Sequence, residues 1–173
     1  MEIKINYKDY IIVNHMEVPY IELIDEYWQD VVSSGHILNR LSDVSSPEIT
    51  DVYDMLRESG DNIYYIWSLS SRMIIGEYML DNSYARTVQL HFSIHSGLGI
   101  LDKFRLGIYT TDKLLEVYSS LYGVIPLKNS RANKFIHGIG FEPKLILKGG
   151  CYYNCEVSDA LVSVKDVPIN RYK

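Results

Sequence analysis

Three polar residues near the middle of the chain could accept a proton from a substrate. His91 and His95 lie in a segment where polar and apolar residues alternate from Val88 onward, so they share one face of a predicted strand. Imidazole titrates near neutral pH and often serves as a general base. Glu77, on the neighbouring predicted strand, is a third candidate. The same side chains also suit the solvated face of an ordinary sheet, and the sequence leaves both interpretations open.

A second informative segment runs from 124 to 141. Its first residues are apolar and typical of a buried strand, and Asn129 follows where a side chain can cap a helix. Gly140 can end that helix in the left-handed conformation, and Phe141 can fold back over its last turn. The residues between them repeat with helical spacing and predict one buried face: Ala132, Phe135, Ile136 and Ile139. The segment predicts a strand, a capped helix and a glycine stop, a unit also found in many α/β domains.

The side chains of this unit carry a family resemblance. Asn129, Ala132, Phe135, Gly140 and Phe141 form the pattern Asn-x-x-Ala-x-x-Phe-x-x-x-x-Gly-Phe, which resembles the last conserved motif of the GCN5-related N-acetyltransferase (GNAT) superfamily. There the unit is the fifth strand and fourth helix, beside the pantetheine arm of acetyl-CoA. The resemblance implies an α/β (α+β) GNAT-like acyl-CoA N-acyltransferase fold. Its central sheet would be mixed and mostly antiparallel, with about six or seven strands flanked by about four helices.

The resemblance also implies a reaction and a set of site residues. Acetyl-CoA would be the co-substrate, and the acetyl group would pass to an amine acceptor, either a small molecule or a protein. His95, Glu77 or His91 would deprotonate the amine at the end of the fourth strand. The residues implied to contact the coenzyme are Ile94, Ser96, Arg105, Gly107, Asn129 and Arg131. For Asn129, helix capping alone is an equally good explanation.

One position departs from the family pattern at the chemistry itself. Ile136 stands where many members carry the tyrosine that protonates the departing thiolate, and an apolar side chain cannot donate a proton. The loop that would bind the pyrophosphate of the coenzyme also departs from the family pattern. With these two departures, the chain is similar to acetyltransferase-like proteins of tailed bacteriophages, including small head or internal virion proteins. The alternative hypothesis is therefore a non-catalytic GNAT-fold binding or structural protein whose partners would be other virion proteins.

The pyrophosphate loop is the second departure. Neither 95–99 nor 103–109 has the spacing of the family's glycine-rich loop. We predict that Gly107 and the threonines after it form a loop that enters a helix, where Arg105 would add positive charge for the phosphates. The same residues would also suit an ordinary loop before a helix.

The hydrophobic pattern predicts the elements that position these residues in one domain over 1–173. Predicted helices span 19–34, ended by Gly35, then 47–59 with Pro47 at its first position, and 112–122. Predicted strands span 3–13 (one strand or a pair), 63–69, 73–80 and 84–95, with a turn at 81–83. A closing hairpin is predicted from 143–147 and 151–157 around a turn at 148–150, followed by an edge strand at 160–164 and a loose tail.

Composition excludes several classes of function. The 173 residues carry a net charge of −5 without a basic run, so nucleic acid is not an expected partner. No apolar run is long enough to span a bilayer and the first residues do not resemble a signal peptide, which favours a cytoplasmic protein (host cytoplasm or virion if phage-encoded). Cys151 and Cys155 are too few for a disulfide framework or a closed zinc site, so we expect structural thiols and no metal.

Overall fold

The computed structural model of the protein describes residues 5–18, 21–39, 41, 45–84, 86–94 and 98–167. The strands in these ranges are β1 (Ile5–Tyr7), β2 (Tyr10–Asn14), β3 (Ile63–Ser68), β4 (Met73–Tyr84), β5 (Thr87–Ile94), β6 (Ser120–Pro126), β7 (Glu142–Tyr153) and β8 (Glu156–Asp166). The helices are α1 (Ile21–Ser33), α2 (Ile49–Ser59), α3 (Ile100–Leu114) and α4 (Ser130–Gly138). The predicted α/β architecture is confirmed; the described sheet has eight strands because the N-terminal segment forms a pair.

The strands form one sheet in the order β1-β2-β3-β4-β5-β6-β8-β7. Each pair of neighbours is antiparallel except β5 and β6, which run parallel. The predicted turn at 81–83 is wrong: β4 continues to Tyr84, and a register shift after Asp81 absorbs the irregularity. The sheet thus consists of an antiparallel meander, β1 to β5, joined at the β5–β6 pair to a second group, β6, β8 and β7.

The sheet is covered on both faces, as the side chains of β3 show. Ile63 and Tyr65 point to one face, where they pack with Trp28 of α1 and Val52 of α2. Tyr64 and Ile66 point to the other face, in the cluster that holds α3 and α4: Leu106, Leu114, Ile136 and Ile139. Two helices on each face of a sheet bury both of its sides.

The first two helices are close to their predicted positions. The prediction that Gly35 stops α1 is confirmed: its φ is 72°, and its N–H donates to the Val32 carbonyl (2.9 Å). Pro47 precedes the cap of α2, where the Glu48 N–H donates to the Asp51 carboxylate (2.6 Å), so its predicted place at the first helical position is wrong. Pro19 lies outside the described residues. None of the helices in the described ranges is long and apolar enough to cross a membrane.

The predictions for 107–122 are wrong. Residues 100–114 form α3, so Gly107, Thr110 and Thr111 lie inside a helix, and 120–126 forms β6. The Thr111 hydroxyl donates to the Gly107 carbonyl (2.9 Å) and so remains satisfied in a helix interior. A Cβ on Gly107 would meet Phe135 and Ile139 of α4 at 2.9 Å, so this glycine lets the two helices pack closely.

The closing hairpin turns later than predicted. Residues 148–150 belong to β7, where a register shift accommodates them, and the Gly149 N–H donates to the Asp159 carboxylate on β8 (3.0 Å). The turn is at Asn154 and Cys155, whose φ values of 51° and 65° match a two-residue hairpin turn with positive φ at both positions. Residues 160–164 are not an edge strand but part of β8, which lies between β6 and β7.

Candidate active site

The parallel strands at the middle of the sheet separate after a short seam. Within the described residues, β5 pairs with β6 only from Thr87 to Gln89, against 120–122. Beyond that seam, β5 pairs with β4 as far as Ile94, and β6 pairs with β8 as far as Pro126. Beyond that seam, no described strand pairs with the edges of β5 and β6 that face each other, so a gap opens between the two strands.

A cavity of about 210 Å³ occupies this gap. Most of its wall is apolar and comes from β5, β6 and α4. The polar side chains that line it are Glu77, His91, Ser93 and Asn129. Because Glu77 and His91 point to the face covered by α1 and Phe92 to the face covered by α3 and α4, the cavity passes through the sheet. A ligand that enters from one face can therefore meet a second ligand that enters from the other.

Two aromatic rings meet across the gap. Phe92 of β5 stacks on Phe135 of α4 with ring centroids 5.6 Å apart and planes 8° apart. Phe135 also contacts Phe104 of α3 at 5.4 Å. This stack joins β5 to α4 and forms an apolar part of the cavity wall.

Glu77 is the buried acid of the site. Only 7% of its surface is exposed, and its carboxylate accepts a hydrogen bond from the Tyr27 hydroxyl of α1. On the sheet it lies between Tyr65 of β3 and Ser93 of β5. Burial raises the pKa of the Glu77 carboxyl well above its usual range. A carboxylate with a raised pKa next to a cavity is the state expected of a general base that works near neutral pH.

His91 lines the same cavity but is engaged within its own strand. Its Nε2 lies 2.9 Å from the Gln89 side-chain nitrogen. In this arrangement the Gln89 amide N–H donates to His91 Nε2. The nitrogen that could act as a base is thus occupied, which favours Glu77 over His91. His95 and Ser96 lie outside the described residues, so their predicted roles stay predictions.

Packed apolar side chains fill the position at which the family resemblance implies a tyrosine. Ile136 is buried on α4, lines the cavity, and lies over Gly123 of β6, where a Cβ would come within 2.5 Å of Ile136 Cδ1. A hydroxyl at this position would face the cavity. The isoleucine instead completes its apolar wall, so within the described lining no side chain takes the place of the family's acid.

Asn129 caps α4 as predicted. Its Oδ1 accepts a hydrogen bond from the Ala132 N–H (3.1 Å), and at the other end Phe141 N–H bonds the Ile136 carbonyl (3.1 Å) after Gly140 at φ 97°. The Gly140 N–H also bonds the His137 carbonyl (3.0 Å). This bond and the one from Phe141 to Ile136 form a Schellman motif, so the predicted glycine stop is confirmed. The cap places the Asn129 side chain at the cavity wall. Arg131 is exposed in the first turn of α4.

Replacement of Asn129 separates its two possible roles. Asn129→Ala removes the cap acceptor and should lower the free energy of unfolding by about 1 kcal/mol, measured by urea denaturation. Asn129→Asp keeps an acceptor and should be nearly as stable as wild type. A weaker Kd for acetyl-CoA in Asn129→Asp at unchanged stability would assign the amide to the coenzyme as well. Equal stability of Asn129→Ala and wild type would contradict the capping role.

The N-terminus of α3 is at Gly99, earlier than the predicted loop. Ile94, predicted to contact the coenzyme, is the last residue of β5 and pairs with Gly76, so its backbone borders the gap. Arg105 lies one turn into α3, 3.8 Å from Asp102. Gly107 is buried against α4, so its predicted place in a phosphate-binding loop is wrong. The helix end that could face phosphates is therefore formed by 98–101 rather than by 107–111.

Comparisons with known proteins agree with this geometry at the level of fold. No protein-family model matches the chain, and no curated protein matches it. Among solved structures, spermidine N-acetyltransferase from Vibrio cholerae, in complex with CoA and spermine, superposes with a TM-score of 0.71 at 12% identity, covering 92% of this chain and 96% of that one.

Two further solved structures are similar over almost their whole length. An acetyltransferase of the GNAT family from Bacillus anthracis gives a TM-score of 0.68 at 12% identity and covers 95% of this chain and 98% of that one. The chain has the GNAT fold. The ribosomal-protein-S5-alanine acetyltransferase from Vibrio fischeri gives 0.68 at 14% identity, covering 95% and 97%. The strand and the helix that the motif at 124–141 predicted are the end of β6 and α4.

Sequence reasoning missed Tyr27 and Ser93 as site residues. Tyr27 lies on the apolar stripe of α1, a pattern that indicates a core position, and Ser93 is marked only by the alternation of β5. One signal was available for Tyr27: its hydroxyl needs a partner if that stripe is buried. The partner, Glu77, is 50 residues away in sequence, so only the folded chain identifies the pair.

Proposed function

We propose that this protein is an N-acetyltransferase that uses acetyl-CoA to acetylate a primary amine. The observation that carries the proposal is the opening between β5 and β6, with a cavity through the sheet and a buried carboxylate, Glu77, on its wall. The residues of this gap suit a pantetheine arm, because strand backbone along the gap could bond its amides and the apolar wall could hold its methylene groups.

Glu77 is the proposed general base. Bound acyl-CoA supplies an activated thioester carbonyl. The acceptor nitrogen gives a proton to the Glu77 carboxylate and bonds to the acyl carbon while the bond from that carbon to sulfur breaks. The amine gains the acetyl group and coenzyme A leaves. Because Ile136 cannot protonate the sulfur, the thiolate would take a proton from water, and Glu77 would return the amine proton to solvent, which restores the carboxylate for the next turnover.

Two other features of the chain would assist the transfer of the acetyl group. The backbone N–H groups near Ile94 could stabilise the charge that develops on the carbonyl oxygen, as the resemblance implies. Residues 98–101 at the start of α3 could offer N–H groups to the pyrophosphate. Holding the amine and the thioester in line would supply much of the rate.

The proposal specifies only the chemical class of the acceptor, which is an amine. The similar structures are, by their names, a spermidine enzyme and an enzyme that acetylates a ribosomal-protein alanine, so an amine on a small molecule and an amine on a protein are both consistent with this fold. These comparisons give no support to the phage origin or to the non-catalytic virion alternative, which stays the competing hypothesis.

Titration with acetyl-CoA tests the proposal without an acceptor. We expect binding with heat at micromolar Kd and a rise in Tm of several degrees, because a ligand at about 100 times its Kd adds about 2.7 kcal/mol of stability. Ala132→Phe, which fills the cavity wall on α4, is the matched control and should abolish the binding. No binding at millimolar acetyl-CoA would overturn the proposal and favour the non-catalytic alternative.

A further inference from the structure

One hydroxyl projects from the otherwise apolar buried face of α1. The buried residues of this helix are Ile24, Tyr27, Trp28 and Val31. Tyr27 is 7% exposed, and its hydroxyl donates to Oε2 of Glu77. A buried phenol needs a hydrogen-bond partner, and here the partner is the carboxylate on the cavity wall.

The ring of Tyr27 is fixed by its neighbours. It makes edge contacts with Trp28, at 5.4 Å between centroids, and with Tyr65 of β3, at 6.0 Å. Tyr65 is also next to Glu77 across the strands, but its hydroxyl is used elsewhere: it accepts from Trp28 Nε1 (3.0 Å) and contacts His15 Nδ1 (3.3 Å). Of the two tyrosines beside Glu77, Tyr27 is the one that bonds the carboxylate.

We propose that Tyr27 is a positioning residue for the base: by holding Oε2 of Glu77 it fixes the orientation of the carboxylate toward the acceptor amine. The inference rests on the proposed function and deepens it. A glutamate side chain has three rotatable bonds, and a carboxylate anchored at one oxygen loses most of that freedom before the amine arrives. Tyr27 keeps its own proton throughout, and the proton from the amine goes to Glu77.

The same hydrogen bond also tunes the base. Donation to a carboxylate favours its charged form, so the Tyr27 hydroxyl should oppose burial, the main cause that raises the pKa of Glu77. Among the residues that the structure describes, the titratable groups that face this carboxyl include Tyr27 from α1, Tyr65 from β3 and His91 from β5. Loss of the phenol hydroxyl should therefore raise the pKa of Glu77 further, whether or not a coenzyme is bound.

Tyr27→Phe tests this inference with two independent readouts. The first is the pKa of Glu77 in the ligand-free protein, taken from its carboxyl band in infrared difference spectra against Glu77→Gln; we expect it to move to higher pH. The second is kinetic: kcat for acetylation of spermine or of a peptide with an N-terminal alanine should fall about tenfold with the KM for acetyl-CoA unchanged. The acidic limb of kcat/KM should move to higher pH by the same amount as the carboxyl band.

Tyr65→Phe is the matched control, because it removes a neighbouring hydroxyl that does not bond Glu77; the carboxyl band should stay in place. An unmoved band in Tyr27→Phe overturns the inference. If the phenylalanine variant does not fold, 3-fluorotyrosine at position 27, a stronger donor, should move the band to lower pH, and no movement again overturns it. Failure of acetyl-CoA to bind wild type would instead overturn the proposed function, since that titration does not depend on Tyr27.

Discussion

Replacing Glu77 with glutamine is expected to lower kcat by about 10²–10⁴-fold, the range usual for loss of a general base. Glutamine has nearly the same shape, and its carbonyl oxygen can still accept the hydrogen bond from Tyr27. An amide does not accept a proton near neutral pH, however. The amine would then have to lose its proton to water, while the rest of the lining of the cavity proposed to bind acetyl-CoA stays unchanged.

Initial rates with a panel of amines, together with calorimetric titration of acetyl-CoA, check this prediction. The Kd for acetyl-CoA should remain close to that of wild type, because an interaction that acts only in the transition state affects kcat and not ground-state binding. His91→Asn is the comparison. Its ring nitrogen is engaged by Gln89 (2.9 Å), so its loss should cost less than tenfold. A Glu77→Gln variant with wild-type kcat would remove Glu77 from the role of base.

The segment from Asn129 to Phe141 was predictable because short-range rules determine it. A side-chain cap, helical spacing and a glycine with positive φ each act within one or two turns, and all three are found: Ala132 N–H bonds Asn129, and Gly140 has φ 97°. The alternation along β5 was predictable for the same reason, with Val88 and Leu90 buried and His91 on the opposite side.

Residues 107–122 were mispredicted because the apolar spacing does not stop where the helix does. Leu114 and Leu115 are buried at the end of α3 and Leu121 is buried in β6, so one continuous pattern covers a helix end, a turn and a strand. The turn at 115–119 contains neither glycine nor proline to mark it. Tertiary packing on both faces of the sheet determines where α3 ends and β6 begins. The periodicity of the sequence alone does not indicate these positions.

The site itself depends on contacts between distant segments. The sequence identified Glu77 as a candidate base but ranked it with two histidines, since burial and partners are properties of the folded chain. The gap between β5 and β6 is visible only in the strand register, where pairing ends at Gln89. The phenol that bonds Glu77 comes from the first helix, whose pattern shows only an apolar face.

Glu77→Gln should also make the protein more stable, and increasingly so as pH rises. Burial raises the pKa of Glu77 in the folded state above its value in the unfolded chain, so the folded protein holds this proton more tightly. The stability that Glu77 contributes is then complete below the unfolded pKa, near 4.5, and is lost as pH rises through the folded pKa. Each pKa unit of difference corresponds to about 1.4 kcal/mol.

Urea denaturation of wild type and Glu77→Gln between about pH 5 and pH 9 measures this difference. The gap in the free energy of unfolding should widen with pH and level off once Glu77 is ionised in the folded protein. Glu58→Gln, at an exposed position on α2, corrects for the loss of one negative charge. A pH-independent gap would show that the carboxyl is not perturbed. A difference in the free energy of unfolding that widens with pH, together with the loss of kcat, would mean that the buried acid lowers stability at the pH where it serves as the base. Such a loss of stability is common where a fold keeps a charged group for chemistry.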